Sequence, residues 1–144
     1  MTLSQIIPID AAVVVTTPQE VALIDVRKAV SMFDTLKVPV AGVVETMSYF
    51  VCDSCDKKHH IFSNGGGEKT AKNYGVPYLG GIPMDPKVVA GADEGKPVVT
   101  HQPDSPGAGA YLEIAGNVVR QVAILQNLEG DALNNFNIKW KVSQ

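Results

Sequence analysis

Cysteine is scarce in this chain, which has two in 144 residues, and no apolar run approaches the roughly 20 residues that a membrane span needs. The start, Met1-Thr2-Leu3-Ser4-Gln5, has neither the basic residues nor the long apolar stretch of a secretory leader. There is no excess of positive charge: 12 Lys and Arg stand against 15 Asp and Glu, a net charge of −3. That balance gives no electrostatic reason to expect nucleic acid or an anionic membrane as partner. No Ser-His-Asp set, carboxylate pair or nucleophile elbow stands out. Together these absences predict a cytoplasmic protein whose thiols stay reduced.

What is present is an ordinary globular composition, 45% hydrophobic and 19% charged, in a length suited to one domain. Ala12-Val13-Val14-Val15-Thr16 is a continuous β-branched run, which predicts a strand buried on both faces. Thr17-Pro18-Gln19-Glu20 reads as a helix start, with Thr17 as N-cap, Pro18 in the first turn and Glu20 completing a capping box. The helix would run about 20 residues and bury Ala22, Val26, Ala29, Val30, Phe33 and Leu36. A second strand follows at residues 40–44, so the unit is βαβ with parallel strands. Further along, the pattern predicts a short helix at residues 66–74 closed by Gly75, and a strand at 78–82. A short helix follows at 85–92, and a long one begins at Ser105-Pro106 with Tyr111, Ala115, Val118, Val122 and Leu125 on its apolar stripe. Residues 136–142 alternate as an edge strand does, or as a tail that orders only against a partner. The expected fold is α/β, with ligands beyond the C-terminal strand ends at Thr16-Thr17, Glu45-Thr46-Met47 and Pro83-Met84-Asp85.

The two cysteines form Cys52-Asp53-Ser54-Cys55, with His59 and His60 just after. Two thiolates on one turn can share a metal ion or the edge of a cluster, but two ligands do not complete a tetrahedral site. The others come from His59 or His60, giving a zinc site, or from a second copy of the chain. Incidental cysteines and a thioredoxin-like redox pair are the alternatives; the latter is disfavoured because residues 56–60 make a poor helix start. The run Gly65-Gly66-Gly67-Glu68-Lys69-Thr70 is not a phosphate loop, because Glu68 stands where that signature has glycine. A glycine-rich helix start can still bind an anion through free N–H groups. Asp85, between Pro83 and Pro86, fits a helix N-cap.

Taken together, Thr16-Thr17-Pro18-Gln19-Glu20, Met47-Ser48-Tyr49-Phe50, Cys52-x-x-Cys55, Gly65-Gly66-Gly67-Glu68-Lys69-Thr70-Ala71 and Gly80-Gly81-Ile82-Pro83-Met84-Asp85-Pro86 resemble the Mrp/ApbC family. Its members are iron–sulfur cluster carrier ATPases of the MinD/ParA-like P-loop class. The resemblance covers about residues 3–125 and corresponds to the C-terminal half of such a protein. It implies a partial, three-layer P-loop NTPase-like half-domain over residues 1–126, with a metal-binding loop at 49–60 and an extension at 127–144. It also implies a [4Fe–4S] cluster bridging two chains, each giving Cys52 and Cys55, with Tyr49 and Phe50 shielding it or packing the interface. Recipient apo iron–sulfur proteins would be the partners. The family's phosphate-binding loop and magnesium-binding residues belong to its front half, so the resemblance predicts no ATP hydrolysis by this chain alone. ATP would bind weakly, at Thr46, Pro83 and Asp85. The family pattern has Asn where Thr46 stands and Pro where Asp53 stands. Without the front half, residues 13–15 and Val43 would border an open sheet edge, which predicts a homodimer or higher oligomer, or a P-loop-bearing partner chain.

Overall fold

The computed structural model describes residues 7–128. Strand β1 (Ala12–Thr16) leads into helix α1 (Glu20–Thr35) and strand β2 (Val40–Glu45). A small hairpin, β3 (Phe50–Val51) and β4 (Lys58–His59), carries the cysteine loop. Helix α2 (Gly66–Tyr74), strand β5 (Tyr78–Gly81) and helices α3 (Pro86–Asp93), α4 (Val98–His101) and α5 (Pro106–Leu128) complete the order. The main sheet is parallel, in the order β1-β2-β5. The expected edge strand at 136–142 lies outside the described residues.

Two apolar layers sandwich the sheet. On one face Val14, Val43, Val26 and Val30 pack with Ala71 of α2. On the other, Val44, Leu79 and Ile82 pack against Ile114 of α5. Burying each large aliphatic side chain stabilises the fold by about 1.5–3 kcal/mol. Close approach between β2 and the chain entering β5 requires glycine at 42: its φ is +154°, and a Cβ there would lie 2.6 Å from the Pro77 carbonyl oxygen.

The structure corrects several sequence expectations. β1 is not buried on both faces: Val13 is 39% and Val15 61% exposed, whereas Val14 and Val43 are buried. β1 is the sheet's edge strand among the described residues, and α5 packs over β2 and β5. The open edge therefore exposes alternate residues of β1 and leaves Val43, in the central strand, covered. Helix α1 starts at Glu20, with Gln19 at the N-cap and no side-chain cap. Pro18 is fully buried, and its carbonyl oxygen lies close to Gly66, so it packs against the start of α2 and does not open the helix. Leu23 is buried in α1 while Leu36 is exposed. In α5 Gly107, Ala108, Ala110 and Ile114 are buried and Val118 packs against the core as expected, whereas Tyr111, 39% exposed, and Ala115 face outward, so only the first half of the expected stripe is displaced. α4 and the β3–β4 hairpin went unforeseen, both being too short for periodicity to mark.

Asp85 is the N-cap of α3: its Oδ1 accepts from the Lys87 N–H at 2.9 Å, and its Oδ2 accepts from the Gly107 N–H at 3.2 Å. One carboxylate thus ties two helix starts together. Asp85→Ala is expected to cost about 1–2 kcal/mol, read as a lower urea midpoint at unchanged slope; an unchanged midpoint would contradict that role.

Candidate functional site

The C-terminal ends of β2 and β5 carry the chemistry-bearing segments. β2 ends at Glu45, one of the largest fully buried side chains, at 1% exposure. Its Oε1 accepts from the Ser48 hydroxyl at 2.6 Å, and its Oε2 accepts from the Gly67 N–H, also at 2.6 Å. The glycine-rich start of α2 therefore already holds an anion, the chain's own carboxylate, which satisfies a free helix N–H and complements the helix dipole. This contact closes a sequence gap of 22 residues, and no local signal marked it. A Cβ at Gly67 would come within 3.0 Å of Glu45, so glycine is needed there for the approach.

Ser48 sits at the base of the cysteine hairpin. Its N–H donates to the Ile82 carbonyl, and the Met84 N–H donates to the Tyr49 carbonyl at 2.7 Å. Phe50 forms a parallel bridge with Met84. The hairpin is thus stitched to the chain leaving β5, so Glu45, through Ser48, anchors the loop that bears the cysteines.

Burial pushes the Tyr78 hydroxyl up to about 12 from its ordinary 10.0, the Glu45 carboxylate adds to the rise and a hydrogen bond with Ser48 opposes it. A raised folded-state value means that the neutral phenol contributes stability below pH 10, and that this contribution is lost as pH climbs from 10 towards about 12. Urea midpoints followed across that range should fall more steeply for the wild type than for Tyr78→Phe. Parallel curves would show that Tyr78 contributes nothing to the alkaline loss.

In the hairpin, Phe50 pairs with His59 and Val51 with Lys58. The Cys52 N–H donates to the Lys57 carbonyl, the Asp56 N–H donates back to the Cys52 carbonyl at 2.9 Å, and Asp56 turns the chain with φ +55°. Both cysteines are free; Cys52 is half-buried and Cys55 exposed. The Cys52 thiol is pulled below its ordinary value, first by hydrogen bonding from the Ser54 backbone and then by the Cys55 side chain and backbone, with the Asp53 charge opposing. Such a turn favours the Cys52 thiolate, the form that binds metal. One ligand atom each from Cys52, Cys55 and His59 lies within 4.8 Å of the others.

His60, the other candidate ligand, is directed elsewhere. Its Nδ1–H donates to the Ser48 carbonyl at 3.0 Å, and its ring stands edge-on to Tyr49, 6.4 Å between centroids. Neighbouring residues on a strand point to opposite faces, so the hairpin presents His59 to the cysteines and turns His60 back to its base.

Thr46, Pro83 and Asp85 line one mostly apolar cavity of about 680 Å³, together with Met47, Phe50 and Tyr111. Its size suits a small molecule. Both Asp85 carboxylate oxygens already accept backbone N–H groups. A second cavity, of about 520 Å³, runs from Cys52 and Asp53 to Asp85 and Asp104. No helix among the described residues is long and apolar enough to cross a membrane.

The family model for ParA, described as a NUBPL iron-transfer P-loop NTPase, matches residues 1–119. An iron-sulfur cluster transfer protein NUBPL from Dictyostelium discoideum is 43% identical over 138 residues, covering 96% of this chain and 43% of that protein. An iron-sulfur cluster carrier protein from Aquifex aeolicus is 50% identical over 122 residues, 85% of this chain and 33% of that one. The chain thus spans less than half the length of these curated relatives. Among solved structures, the septum site-determining protein MinD of Pyrococcus horikoshii, complexed with Mg-ADP, aligns with a TM-score of 0.60 at 25% identity over 81% of this chain and 44% of that one. A nucleotide-binding protein from Archaeoglobus fulgidus in complex with ADP aligns at 0.54 and 34% identity, covering 60% of this chain and 36% of that one.

Proposed function

We propose, from the premise that the chain belongs to the NUBPL iron-transfer family of P-loop NTPases, that it carries a [4Fe–4S] cluster between two copies of itself, each supplying Cys52 and Cys55. The observation that carries this reading is the pair of free cysteines, Cys52 half-buried and Cys55 exposed, on a hairpin that is stitched to the sheet. A four-iron cluster takes four thiolates, and two such turns related by a twofold axis provide them. Solvent access at Cys55 suits transfer: thiolates of an apo iron–sulfur protein replace those of Cys52 and Cys55 one by one, an exchange of ligands in which no electron moves. Tyr49 and Phe50 would shield the cluster or pack the interface between the two chains.

The reading places no ATP hydrolysis on this chain by itself. The glycine run before Lys69-Thr70 has its Gly67 N–H taken by Glu45, which removes one of the helix-start donors that a phosphate would use. Any nucleotide would sit weakly at Thr46 and Pro83, where a threonine hydroxyl cannot read adenine in the bidentate way that an amide can. The action is assigned to the cytoplasm, where thiols stay reduced. Transfer is tested by mixing the anaerobically reconstituted chain with an apo four-iron enzyme. Recovery of that enzyme's activity, outpacing recovery from free iron and sulfide and resistant to a chelator, supports a carrier; recovery that the chelator abolishes contradicts it.

The exposed Val13 and Val15 on the edge strand favour a second reading, in which β1 pairs with a P-loop-bearing segment or chain.

A further inference from the structure

We propose that Cys52, Cys55 and His59 form, within one chain, a three-ligand site for a zinc-type divalent cation whose fourth position is open. The proposal rests on the turn that the cluster reading uses and adds to it a state that needs no second chain. In a tetrahedral site with metal–sulfur distances near 2.3 Å and metal–nitrogen distances near 2.0–2.1 Å, the ligand atoms stand about 3.5–3.8 Å apart. Here the three ligand atoms lie within 4.8 Å of one another, so closure needs side-chain movements of about an ångström at an exposed loop.

The hairpin itself sets this selection. Cys52 and Cys55 are three residues apart on a turn closed by Cys52 carbonyl hydrogen bonds, and His59 enters from the returning strand opposite Phe50. His60 is held by Ser48 and is outside the group. No further cysteine, histidine or carboxylate joins the three among the described residues. Two thiolates with an imidazole select zinc-type ions over magnesium or calcium, which prefer oxygen. Three protein ligands leave one place for water or for an incoming thiolate of another protein. On binding, both cysteines release their thiol protons to solvent and no redox change occurs. The single chain can therefore hold a metal ion on its own, and that ion competes with the bridging cluster for the same sulfurs.

Cobalt(II) serves as the spectroscopic probe, with zinc as the competitor, on the full chain and on His59→Ala and His60→Ala, each checked for native circular dichroism. The expected result is one cobalt per chain, with tetrahedral ligand-field bands and sulfur-to-cobalt charge transfer displaced by zinc. His59→Ala should weaken binding about tenfold or more and alter the bands, while His60→Ala should leave both unchanged. Equal affinity and spectrum in His59→Ala, one cobalt per two chains, no cobalt binding, or an equal loss in His60→Ala would each overturn the proposal. Iron–sulfide reconstitution of the same three proteins separates the two readings. The cluster reading predicts full cluster content in His59→Ala, so its failure would appear there and in the wild type, independently of the cobalt result.

Discussion

Replacing Cys52 and Cys55 together by serine is expected to abolish cluster binding, taking anaerobically reconstituted protein from about two iron and two sulfide per chain to none. The stoichiometry follows from one four-iron, four-sulfide cluster shared by two chains. The size of the effect follows from the site itself: the chain has only these two cysteines, and a serine hydroxyl does not replace a thiolate toward iron. Both side chains lie on a loop whose hydrogen bonds run through the backbone, between Cys52 and Lys57 and between Asp56 and Cys52. The double variant should therefore keep the wild-type circular dichroism and urea midpoint while losing its visible absorbance. Retention of more than half of the iron and sulfide would place the cluster elsewhere.

The largest expected loss of stability belongs to Glu45→Ala. The carboxylate is 1% exposed and accepts from Ser48 and Gly67 at 2.6 Å each. Truncation leaves the buried Gly67 N–H without a partner, takes from the Ser48 hydroxyl its carboxylate acceptor and opens a cavity beneath α2. Each orphaned group costs about 1–3 kcal/mol, so the expected total is about 3–5 kcal/mol, a large share of the 5–15 kcal/mol that typically holds a domain folded. Glu45→Gln keeps an acceptor and should cost less than half as much. Urea titration of both variants checks the order; a Glu45→Ala loss below about 1 kcal/mol would refute the role. Because Ser48 anchors the hairpin to the sheet, Glu45→Gln should also hold the reconstituted cluster less firmly.

The parallel strands, their order along the chain and the helices at Gly66–Tyr74 and after Ser105 were legible because each rests on local signals: β-branched runs, a glycine closing a helix, a proline opening one. The Asp85 cap and the cysteine pair were legible for the same reason. What escaped depends on distant contacts. Exposure of Val13 and Val15 is decided by strand order, which a run of valines does not encode. The burial of Ile114 in place of Tyr111 and Ala115 at the start of α5 is set by where Leu79 and Ile82 meet that helix. The glycine run looked like a place for an outside anion until Glu45, 22 residues earlier, filled it. The choice of His59 over His60 turns on hairpin register, which two-residue strands do not announce in sequence. The family membership was legible from the run of motifs, whereas the Glu45–Ser48 contact at the base of the hairpin came only from the fold.

Native mass spectrometry of the anaerobically reconstituted chain shows whether two chains share one cluster through Cys52 and Cys55. The expected species is a dimer carrying a single four-iron, four-sulfide cluster, with the cluster absent from the Cys52→Ser/Cys55→Ser protein. A monomer carrying the whole cluster, or a dimer carrying two, would contradict it.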